Sequence, residues 1–93
     1  MNASEYKQFF GHLVASYPSV ANRFEGEPDA EERNEVWVKA LMDCQFDHCM
    51  DAIDAMVRGD IERPQYGWDD LPKIIRMYSF TRANEDLQTA TLD

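Results

Sequence analysis

The chain is expected to be all-α: a single small bundle of about four helices (1–83) followed by a flexible, acidic C-terminal stretch (84–93). Three observations predict this. Apolar residues recur at i, i+3, i+4 and i+7 in four segments, Pro and Gly fall at only a few places between them, and no alternating β-branched run occurs. With 93 residues, 44% apolar and 12% aromatic, there is enough for one core and too little for two.

In the first segment Tyr6, Phe9, Phe10, Leu13, Val14 and Tyr17 form one stripe, which Pro18 stops. Asn2 with Glu5 resembles a capping box, and Ser4 is the competing N-cap. Residues 19–27 read as a connector that dips Val20 and Phe24 into the core, with room for a short helical turn, and Gly26 and Pro28 close it. A second helix should start near Asp29, with Glu32 reaching back, and bury Val36, Trp37, Ala40, Leu41 and the stem of Arg33. Six acids between Glu25 and Glu35 suit the positive end of that helix and are assigned no site.

The third helix is expected from about Phe46 to Arg58, with Phe46, Cys49, Met50, Ile53, Met56 and Val57 inward and Gly59 as a left-handed cap. After a turn through Ile61, Arg63, Pro64, Tyr66 and Gly67, the fourth should start at Asp69 or Asp70. Pro72 is tolerated in its first turn, and Leu71, Ile74, Ile75 and Tyr78 form its stripe.

Eighteen acids against nine bases give a net charge of −9, which disfavours phosphate backbones and anionic lipid. No run approaches the roughly 20 apolar residues that span a bilayer, so a soluble, cytosolic protein is expected. Cys44 and Cys49 read as reduced thiols. With His48 they hint at a metal, but a tetrahedral site lacks its remaining ligand, and the other histidine, His12, sits in the first helix. Buried thiols with a surface histidine are the plainer reading. No Gly-rich phosphate loop, HExxH spacing or nucleophile with an evident base occurs. Neither a cofactor nor a catalytic activity is therefore expected, and a binding protein is.

Two surfaces are candidates for that binding. Asp43, Asp47, Asp51 and Asp54, at steps of four, four and three, would share one helical face, either as a solvated surface or as a docking row for a basic partner. Opposite in charge, the segment Pro72 to Ala83 carries Lys73, Arg76 and Arg82 and no acid. Lys73 and Arg76 could pair with the aspartates or face an acidic partner. Tyr66 and Trp68 beside them could form an aromatic hot spot or tuck onto their own core.

The order Ala15-Ser16-Tyr17-Pro18, then Val36-Trp37 with Leu41-Met42-Asp43 and Phe46-Asp47, then Arg63-Pro64 ahead of the Trp68-to-Arg76 helix start, resembles a known family. These are the phage proteins that load or inhibit replicative DNA helicases, in their folded N-terminal helical domain. The resemblance spans about residues 5–80 and rests mostly on core and turn residues, which speak for fold more than activity. It implies a small adaptor, acting in the host cytoplasm, that contacts a hexameric helicase, restrains its ATPase and delivers it to an origin-bound phage protein. In that family the segment after the helical domain is implicated in the helicase contact, whereas here only residues 84–93 follow Ala83. The alternative is an acidic inhibitor that imitates nucleic acid, motivated by the charge and the aspartate row.

Overall fold

The capping box forms at Asn2: its Oδ1 accepts from the Glu5 N–H (2.8 Å) while its own N–H donates to Glu5 Oε1 (3.0 Å). Helix α1 accordingly spans Ala3–Ser16, and Tyr17 closes it by donating its N–H to Leu13 O. The computed structural model describes residues 1–24, 30–65 and 67–92, the side chains of Arg23 and 86–92 not among them. Tyr66, Gly26, Pro28 and the expected cap at Asp29 thus lie outside the described residues.

Pro18 begins a 3-10 segment, Pro18–Arg23, because its fixed φ suits a first turn that cannot extend α1. This segment carries Val20 to full burial. Phe24 follows and stands edge-on to both Phe10 and Trp37, with ring centroids 5.0 Å away in each case. That geometry suits the aromatic quadrupole.

Helix α2 (Ala30–Leu41) buries Trp37 and Leu41. Val36, expected inside, is 58% exposed. The buried arc centres on Trp37 and takes in Val38 on one side and Ala40 on the other, so Val36 falls a step beyond its edge. Helix α3 has the bounds the pattern predicts, Phe46–Arg58. Gly59 at φ 87° ends it, its N–H bonding Met56 O (3.1 Å) while the Asp60 N–H bonds Ala55 O (2.9 Å), the two bonds of a Schellman ending. Val57 is 59% exposed rather than inward, because Ala52 and Ala55 are both buried and shift the inner face away from it.

A further 3-10 turn, Trp68–Asp70, precedes α4 (Leu71–Leu92), which starts just after the expected aspartates. Leu71, Pro72, Ile75 and Ser79 are buried along it. The helical backbone continues past Ala83, where the sequence places the end of the helical domain, to Leu92. Among the described residues there is no strand and no helix long and apolar enough to cross a membrane.

The fold is all-α. Its helices pack in the order α1 on α3, α3 on α4, α4 on α2. One core, from Phe9 and Leu13 through Ile53 to Leu71 and Ile75, runs through these contacts. The seam between α1 and α2 is bridged by Phe24 and by the Tyr6 hydroxyl, 3.3 Å from Asn34 Oδ1.

Candidate protein-binding surface

The aspartates do not form a free row. Asp43 lies in the turn between α2 and α3, so it does not share the α3 face. It accepts from Arg76 Nη1 at 2.5 Å, and the same nitrogen donates to Ala40 O at 2.7 Å, near the end of α2. The hydrogen bond from Arg76 holds the Asp43 carboxyl below its usual range. Asp51 accepts from the Tyr78 hydroxyl and from Arg82 Nη1 (2.7 Å), which ties α3 to α4. Asp54 Oδ1 lies 2.8 Å from His12 Nε2 and ties α3 to α1. Asp47 alone of the four is exposed without a partner among the described residues.

The basic face resolves in the same way. Arg76, besides holding Asp43, lies over the Phe80 ring at 4.8 Å. Of the predicted cations, Lys73 is exposed and unpaired among the described residues. Trp68 packs beside Tyr17, with centroids 5.1 Å apart, and donates its indole N–H to Ser19 Oγ at 3.1 Å. Its ring therefore fastens the α3–α4 connector onto the corner after α1.

Cys44 and Cys49 are buried, free thiols, and Cys44 sits in the turn rather than on a helix with His48. Burial, with Cys44 adjacent, pushes the Cys49 thiol up to about 12. His48 is not a surface residue: it is 6% exposed, with Nδ1 3.4 Å from Ser79 Oγ. Ile53 and Ala52 on α3 and Ile75 on α4 draw these two helices together over it. Among the described residues no three His, Cys, Asp or Glu side chains are grouped to hold a metal. Ser79 is buried with His48, at 3% exposure.

What the sequence reading missed is apolar surface. Met42 (47%) and Met77 (61%) are exposed, and each borders a groove. One groove, about 410 Å³, lies between α1 and α2 over Tyr6, Phe10 and Val38. The other, about 430 Å³, lies between α4 and Ile61, over Ile74 and Tyr78. Phe10 sits at the outer margin of the α1 stripe, where the pattern alone counts it as core, while Val38 and, in the turn after α2, Met42 fall outside the stripe expected for that helix.

No protein family, curated protein or solved structure matches the chain.

Proposed function

We propose that this chain is a non-catalytic protein-binding adaptor of the kind that loads or restrains a hexameric replicative helicase. The observation that carries the binding reading is the division of the surface. Most charged groups of the two candidate rows are engaged between helices, while large apolar side chains, Met42 and Met77 among them, are left at grooves. Exposed apolar surface rimmed by polar residues is the ordinary mark of a protein-docking face.

The helicase as partner is supported by the order of motifs from Ala15 to Arg76, the residues that carry the resemblance to the loader and inhibitor proteins. This reading ranks above imitation of nucleic acid, which needs the aspartates as a free row; three of the four hold neighbouring helices instead.

The test is reconstitution. Mixed with a purified phage or host hexameric helicase, the chain should co-elute with it and lower its ATPase rate. Absence of both effects across the helicases of the source overturns the helicase reading. Partner binding that survives high salt and the Asp47→Asn substitution would further separate the adaptor from the mimic, whose binding would be lost under both.

A further inference from the structure

The main helix contacts form an open series, α2–α4–α3–α1, so the two end members, α1 and α2, border a seam that no other described helix fills. The seam is antiparallel: Met1 N lies 2.7 Å from Met42 O, and the Tyr6 hydroxyl meets Asn34 further up α2. Its floor is preformed. The Tyr6 and Phe10 rings stack at 6.3 Å and 26°, Phe24 supports Phe10 edge-on from below, and the hydrogen bond to Asn34 holds Tyr6 in place. Val38 and Met42 form the opposite wall.

The rims differ in charge. Among the described residues Lys7 is the one charged side chain lining the groove, and it has no ion partner there. On α2, Glu31 and Glu35 fall on the same side as Val38 and Met42, at steps of seven, and both are exposed and unpaired among the described residues. Lys39 lies further round the helix, beyond them. The groove is thus an apolar trough lined by a cation on its α1 side, with two carboxylates that helical register sets outside the lining on its α2 side.

From this we infer that the α1–α2 groove docks an amphipathic helix of a partner protein. That helix lays an apolar stripe over Tyr6 and Phe10, turns an acidic flank to Lys7 and turns a basic flank to Glu31 and Glu35. A helix laid there closes the open series into a ring of helices, burying Met42, Val38 and Phe10 as a bundle core buries its stripe. Methionine at the wall suits a variable apolar anchor, since its unbranched side chain adapts to what it meets. The inference adds a site to the adaptor reading and rests on it only in taking the partner to be a protein.

The test uses the full chain, isotope-labelled, and a synthetic helical peptide with leucines at i, i+3, i+4 and i+7, lysines on one flank and glutamates on the other. Peptide titration should shift backbone resonances of Ala3–Phe10 and Asn34–Met42. Met42→Glu should weaken binding about tenfold or more, and Met77→Glu on the far groove should leave it unchanged. Lys7→Glu should weaken the glutamate-flanked peptide and be rescued by a peptide with lysine at that flank, while circular dichroism confirms that each variant folds. The inference is overturned if shifts map to Ile61, Ile74 and Met77, if a scrambled peptide binds equally, or if the free chain self-associates through Met42. Helicase binding that is indifferent to Met42→Glu and Lys7→Glu would overturn this site and leave the adaptor reading intact. Peptide docking without any helicase contact would do the reverse.

Discussion

Cys49 and Tyr6 are buried groups whose neutral forms the fold favours: burial pushes the Cys49 thiol and the Tyr6 hydroxyl each to about 12. In the unfolded chain both ionise at ordinary values, so above them the unfolded state binds fewer protons than the folded one. The stabilisation is complete below the unfolded values and is lost as pH rises through the folded ones. Urea midpoints should therefore fall between about pH 9 and 12, and Tyr6→Phe should flatten that fall. Asp43 has the opposite sign. Its carboxyl is lowered by Arg76, so its contribution is present above the usual carboxylate range and is lost as acid protonates it. The same burial makes the thiols inert: at neutral pH an aromatic disulfide reagent should titrate neither cysteine in the native protein and both in urea. Rapid native titration of a thiol would contradict the burial of that cysteine.

Two glycines on helices separate backbone effects from packing. Gly59 ends α3 at φ 87°, where an L side chain is strained, so Gly59→Ala should destabilise by about 1 kcal/mol or more in denaturant unfolding. Gly11 lies exposed in mid-α1, and a methyl group there would meet nothing within 4 Å, so Gly11→Ala should stabilise by roughly 0.5–1 kcal/mol. Both signals belong to the local chain, and such signals were legible: the Asn2–Glu5 box, the Pro18 stop, the Phe46–Arg58 span and its Gly59 ending. Val36 and Val57 were not. Counting large apolar residues ignored Ala52 and Ala55, whose small side chains let α3 face its neighbours over a wider arc. Of the two readings of the aspartates, pairing with the fourth helix holds for Arg76 and Asp43, while the continuous free row does not form: its partners are 27 to 42 residues away, and spacing along one helix does not say which of them another helix brings opposite.

In the whole molecule, Phe24 holds together what the helix order leaves apart. Set between Phe10 and Trp37, it joins α1 to α2 at the seam where the bundle is open. Phe24→Ala should cost about 2–4 kcal/mol, toward the lower part of the range for aromatic truncation because Phe24 is only partly buried. It should also raise amide exchange in α2 more than in α3, since α3 has neighbours on both sides. Equal exchange in both helices would mean that the seam is held by something other than this ring. The two grooves share this scale: neither was legible in the sequence, because a groove is a property of how far apart two helices stand.

The clasp of Trp68 on Tyr17 and Ser19 joins distant parts of the chain, Trp68 and Ser19 being 49 residues apart. A contact of that span closes a large loop, and its entropy must be offset before the contact contributes, so it should form after the helices have docked. The clasp then acts as a latch on the exit from the native state rather than as a guide into it. Tyr17→Ala should speed unfolding while folding keeps close to its original rate, and Trp68 fluorescence in stopped-flow experiments would record which limb moves.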